Sequence, residues 1–203
     1  MRVRTEFLVG VDLGQCRDFT AIAVIGRAEL KGARDPATWA YKNESVLQLR
    51  HLERVPLGTP YPEVVERVVS VTRSGALLGR CQIVVDGTGV GRPVVDLLRG
   101  APTGCTVWPA MLTGGDSETS GGGYYRIPKR ELIIGLQVLL QSGKLQIAGG
   151  LKFGPALVAE MAAMQVKISA AGNELFGAWR EGTHDDMVFA VALACWGAKR
   201  IWG

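Results

Sequence analysis

The 203-residue chain is poor in the residues that build soft metal sites. It has two histidines and four cysteines, and Cys16, Cys81, Cys105 and Cys195 form no Cys-x-x-Cys pair. That spacing argues against a structural zinc site and against a disulfide framework, so the thiols are expected to be reduced and mostly buried. No apolar run reaches the roughly 18 residues of a membrane span. The opening MRVRTEFLVGVDLG lacks a signal-peptide core and cleavage site, which points to a soluble intracellular protein. No internal repeat or long linker interrupts the chain, and its length suits one domain over 1–203 with a sizeable core. A hydrophobic fraction of 47% argues against disorder. The charge of one sign is also modest: a net +4 permits a polyanionic partner without requiring one. Arg outnumbers Lys, which suits two-pronged phosphate contacts, although an Arg-rich coding bias would leave the same mark.

What is present alternates between two periodicities. FLVGVDLG (7–14), DFTAIAVIGRAE (18–29) and TWAYKNESVLQLRHLERV (38–55) read as three consecutive strands. YPEVVERVVSVTRSGALLG (61–79) places valines at helical spacing behind a proline suited to a first turn. CQIVVDG (81–87) is a short buried strand, VGRPVVDLLRG (90–100) a helix closed by glycine, and CTVWPAML (105–112) another strand. The order β-β-β-α-β-α-β predicts an α/β fold, with a mixed central sheet flanked by helices. TGGDSETSGGGYYRI (113–127) reads as a flexible loop or added hairpin. PKRELIIGLQVLLQSGK (128–144) and LKFGPALVAEMAAMQ (151–165) read as helices, and VKISAAGNELFGAW (166–179) as a hairpin. A last helix covers 184–198.

Acids meet glycines at three places. Asp12 ends the first strand and is followed by Gly14. Asp86 ends IVVDGTGVG and is followed by Gly87. Asp185 and Asp186 open the apolar helix of GTHDDMVFAVALACWG (182–197). If the strands ending at Asp12 and Asp86 are parallel neighbours, their carboxylates lie at the sheet edge where ligands of open α/β folds collect. Two such groups repel unless a proton or cation sits between them. Oxygen-only donors suit Mg2+ or Mn2+ better than zinc, and two such ions can together drive phosphodiester cleavage. The glycines would let a phosphate backbone approach. The alternative at the third place is local: Thr183 and Asp186 have the spacing of a capping box, and acids in a first turn favour the helix dipole.

These motifs resemble, over nearly the whole chain, the RNase H-like nuclease domain of the large terminase subunit, the DNA-packaging motor protein of tailed bacteriophages. VGVDLGQCRDFTAIAVI, IVVDGTGVGRPVVDLL and GTHDDMVFAVALACW match its three acidic motifs in order, and KRELIIGLQVLLQSGKLQI follows the expected loop. The resemblance implies that Asp12 bridges two Mg2+ or Mn2+ ions, Asp86 ligates one and Asp185 the other, with Asp186 as a further or alternative ligand. Asp18 would support the first turn, and His184 would orient a ligand or a water. Arg126, Lys129 and Arg130, beside the Gly-rich stretch, would face DNA phosphates. Double-stranded DNA is the implied substrate. An ATPase domain, a small terminase subunit and a portal are the implied partners, and the host bacterial cytoplasm is the implied location. No G-x-x-x-x-G-K-[ST] run occurs, so no ATPase domain is expected within 1–203 and the chain is not expected to translocate DNA by itself.

Three other readings share features with this one. A RuvC-like Holliday-junction resolvase would use the same acids and would prefer four-way junctions. An actin-like ATPase or sugar kinase also has a strand ending in Asp-x-Gly, but the GQCRD turn lacks the small hydroxyl residues that would hold phosphate. A non-catalytic DNA clamp or portal-docking module would keep binding after the loss of Asp12.

Overall fold

The computed structural model of the chain describes residues 6–14, 18–89, 92–168, 174–177 and 184–202. Its centre is β1 (Phe7–Asp12), buried along almost its whole length. β2 (Thr20–Arg34) and β3 (Tyr41–Val55) follow it antiparallel, as a meander. After α1 (Tyr61–Thr72), β4 (Cys81–Asp86) pairs parallel to β1 on the other side. α2 (Arg92–Gly100) leads to β5 (Thr106–Thr113), parallel to β4. β6 (Thr119–Gly121) and β7 (Tyr124–Pro128) form the hairpin expected in the Gly-rich stretch, with β7 parallel to β5. α3 (Lys129–Gln141) and β8 (Leu145–Ile147) return the chain to the far edge beside β3. The eight-stranded mixed sheet runs β6-β7-β5-β4-β1-β2-β3-β8. α4 (Gly154–Ala163), a small ribbon of β9 (Gln165–Ile168) and β10 (Glu174–Gly177), and α5 (Asp186–Trp202) complete the chain.

Strand alternation sends side chains to two cores. Val9, Val11, Ile22, Val24, Ile83 and Val85 pack against the valines of α1 and α2. Leu8, Ala21, Ala23, Leu52, Val84 and Ala110 face α5, with Leu132 and Leu136 of α3 and Leu157 of α4 closing that side. α5 is buried continuously from Asp186 to Ala198, so it is a core helix with no solvent stripe over that span. Among the described residues, no helix is long and apolar enough to cross a membrane.

The approach of α5 to the sheet is set by glycine. A Cβ on Gly10 of β1 would lie 1.9 Å from the Ala190 carbonyl oxygen. On the helix side, a Cβ on Gly197 would lie 2.8 Å from Val84. Helix and strand backbones therefore meet without side chains between them.

Element boundaries moved where pairing extends them. β2 continues to Arg34 because β3 pairs with it well past the sheet body, as a ribbon whose outer half is exposed. α5 continues to Trp202. The expectation of reduced thiols is corrected at one pair: Cys81 and Cys105 are joined as a disulfide. The parallel register of β4 and β5 sets their Cα atoms 5.7 Å apart, a proximity that appears only once the strands are paired. Cys195 is a buried free thiol, pushed far up by burial, and Cys16 lies outside the described residues.

Gly10→Ala is expected to lower the midpoint of chemical unfolding by the equivalent of about 2–3 kcal/mol, the upper range for overpacking. The clash is with backbone, which cannot rotate away. An unchanged midpoint in a denaturant titration would contradict this contact.

Candidate metal centre

Asp12 and Asp86 end adjacent parallel strands and are direct register partners. Asp12 is opposite Ala21, and Ala21 is opposite Arg54. A single row therefore crosses four strands: Asp86, Asp12, Ala21, Arg54. Residues level with one another in neighbouring strands share a face, and Leu8, Val84, Ala21 and Leu52 fix that face as the one under α5. The start of α5 brings Asp185 and Asp186 over the row.

The electrostatics follow from this crowding. The Asp12 carboxyl is held well above its ordinary 3.8, first by burial and then by the charges of Asp86, Asp186 and Asp185. Asp86, 7% exposed, is also pushed up by burial, while Thr88 and the Lys129 ammonium pull it back. The Thr88 amide donates to Asp86 Oδ1 at 2.8 Å, and the Leu112 amide donates to the Thr88 hydroxyl at 2.7 Å, which fixes the turn after β4. Among the described residues, no three His, Cys, Asp or Glu side chains are drawn together tightly enough to form a preassembled cage. The donor set still fits a hard divalent cation: carboxylate oxygens brought to one face, with Asp12 buried among the charges of the others.

The mouth of α5 is held by residues that sequence reasoning missed. Arg54 Nε donates to Asp186 Oδ2 at 2.9 Å and Nη2 to Oδ1 at 3.3 Å. The same Nη2 is bonded to Glu160 of α4. Glu160 Oε2 accepts the Met187 amide at 3.2 Å, so an open N–H of the first turn is satisfied from a neighbouring helix. The capping-box partner Thr183 lies outside the described residues. Phe19 lies between the Arg54 guanidinium, 4.7 Å from its ring centre, and the His184 ring, 4.8 Å away edge-on. The available signals were an arginine at an inward strand position and a lone acid in an apolar helix.

The remaining predicted residues divide. Lys129, the first residue of α3, places its ammonium 4.8 Å from the centre of the Phe189 ring in α5, and its charge reaches both Asp12 and Asp86. It stands with the acids. Arg126 on β7 and Arg130 on α3 are exposed. Asp18 is exposed and lines a cleft of about 370 Å3 with Gly14, Thr20 and the Pro56–Tyr61 segment. The space beside Gly14 is occupied by the chain itself: a Cβ there would lie 2.1 Å from the Asp18 carbonyl oxygen and 2.3 Å from that of Phe19. At Gly87 a Cβ would meet Val95 at 3.1 Å. In the Cβ direction both glycines face the chain itself, by backbone at Gly14 and by the Val95 side chain at Gly87.

No protein-family model and no curated protein matches the chain. Solved structures do. The large terminase nuclease from thermophilic phage G20c with bound magnesium superposes with a TM-score of 0.62 at 22% identity, covering 94% of this chain and 80% of that one. The Thermus phage P74-26 large terminase nuclease domain gives 0.58 at 20% identity, covering 93% and 77%. The large terminase nuclease domain of bacteriophage SPP1 with bound manganese gives 0.54 at 12%, covering 98% and 88%. The chain has the RNase H-like fold of these nuclease domains.

The raised Asp12 carboxyl has a sign that can be checked. The folded chain binds a proton there that the unfolded chain, with its ordinary 3.8, has released. Without metal, stability therefore falls as pH rises from about 4 upward through the raised value. Asp12→Asn is expected to flatten that slope and to raise the thermal unfolding midpoint at neutral pH in EDTA. An equal slope in the variant would count against the reading.

Proposed function

We propose that the chain is a metal-dependent DNA endonuclease with little sequence preference, acting through two Mg2+ or Mn2+ ions. The observation that carries this reading is the in-register pair of Asp12 and Asp86, with Asp185 and Asp186 brought over them by a buried helix. The fold shared with terminase nucleases solved with magnesium and manganese supports it.

In this reading Asp12, Asp86 and Asp185 would hold the two ions, with Asp186 as a further or alternative oxygen donor. Bound there, two such ions supply an activated water and stabilise the leaving 3′ oxygen of a phosphodiester. Lys129 balances the acids while they are close, and it lies at the start of α3, beside the β6–β7 hairpin. Arg126 and Arg130, both exposed, would meet duplex phosphates and so position the substrate without reading its bases. His184, edge-on to Phe19, would orient a ligand or a water. Within a packaging machine the domain would cut concatemeric genomes in the host cytoplasm, beside an ATPase domain, a small terminase subunit and a portal.

The test is plasmid nicking at low salt with Mg2+, Mn2+ or EDTA. Nicked and linear products are expected with either ion and none in EDTA. Asp12→Asn and Asp185→Asn are each expected to lose about 100-fold or more in rate, beyond the 10–100-fold of an outer-shell change. Duplex binding should weaken steeply with salt, as phosphate-dominated binding does. Metal-independent binding unaffected by Asp12→Asn, with no cutting in either ion, would replace this reading with that of a DNA clamp.

A further inference from the structure

We infer that Arg54 and Glu160 are positioning residues that hold Asp186 among the acids and set how tightly the site binds its cations. The inference rests on the nuclease reading above. Arg54 approaches Asp186 with two guanidinium nitrogens, one on each carboxylate oxygen, and shares one of them with Glu160. The three side chains are 17%, 4% and 8% exposed, so water does little to screen them.

The geometry gives each member a separate task. Arg54 is level with Asp12 in the sheet row and separated from it by Ala21 alone. Two strand spacings place its Cα about 10 Å from that of Asp12. Ala21 leaves the guanidinium room to reach over β2 to the helix mouth. A carboxylate has about four lone-pair sites, so Asp186 can accept both Arg54 bonds and still offer oxygen to a cation. Glu160 divides the Arg54 charge between two carboxylates. One guanidinium facing two acids leaves a net charge of −1, which favours a cation. Without the Glu160 charge, Arg54 would neutralise Asp186 alone and compete with the metal for it. Glu160 also accepts the Met187 amide, which ties the α4 helix to the first turn of α5. Phe19 covers the guanidinium plane and keeps the fork in one orientation.

The test uses Glu160→Gln and Arg54→Lys in the full chain. Glu160→Gln keeps the shape and removes the charge; Arg54→Lys keeps the charge and removes the two-pronged fork. For each, the Mg2+ concentration for half-maximal nicking is measured beside the thermal unfolding midpoint, and Mn2+ binding without DNA is measured by calorimetry. The expected result is a half-maximal Mg2+ concentration raised about 10-fold or more, the scale of an outer-shell change, with cutting largely recovered at high Mg2+. Mn2+ affinity should fall in parallel. An unchanged half-maximal concentration, whether or not the unfolding midpoint drops, would overturn the inference and leave a purely structural ion network. Should Glu160→Gln fail to fold, Arg54→Lys carries the same test alone. Should the wild type fail to cut, the nuclease reading fails, while the calorimetric comparison still decides the role of Arg54 and Glu160.

Discussion

Two carboxylates at the same level of two parallel strands are an electrostatic liability, and the rest of the fold is arranged around it. Parallel register makes Asp12 and Asp86 neighbours as surely as hydrogen bonding makes β1 and β4 neighbours. Neither can turn away without leaving the face that its strand dictates. α5 adds two further acids from above, in a position set by backbone contact between Gly10 and Ala190. Burial then denies the group the water that would normally screen it, which is why the Asp12 carboxyl resists ionisation. Such a cluster costs stability in the bare protein. On the proposed reading, a divalent cation would replace the missing counter-charge.

The chain supplies part of that counter-charge from two sides. Lys129 reaches the acids from the first residue of α3, with its ammonium over Phe189 of α5. Arg54 reaches them from the end of β3, with its guanidinium against Phe19. Each cation rests on an aromatic face, a placement that holds a charge without neutralising it. Glu160 then takes up part of the Arg54 charge. Cations thus flank the acids while the cluster as a whole stays anionic.

The acids were legible in the sequence because each interrupts an apolar run beside glycine, a contrast that survives without coordinates. The order of elements along the chain followed from the switch between strand and helix periodicity at Tyr61. The pairing of Arg54 with Glu160 was not legible: an inward strand arginine and a lone acid in an apolar helix each stand out, but they lie far apart in sequence and nothing in either element names the other. Their pairing depends on the bulge-shifted register of β2 and β3 and on where α4 packs. The Cys81–Cys105 bond depends on register in the same way. At Gly14 and Gly87 the sequence marks a missing side chain without saying what lies beside it; in the Cβ direction that is the chain itself. Lys129 was grouped with Arg126 and Arg130 by proximity in sequence. From the first residue of α3 its ammonium lies over Phe189, whereas Arg126 on β7 and Arg130 one residue further along α3 are exposed.

The central claim is that the acids of β1, β4 and α5 form one cation site. Anomalous scattering from crystals grown with Mn2+ tests it directly. The account predicts manganese peaks within coordination distance of Asp12, one of them shared with Asp86 and one with the acids opening α5. It also predicts that Arg54 remains on Asp186. Manganese bound elsewhere, with the space between Asp12 and Asp86 holding only water, would contradict it.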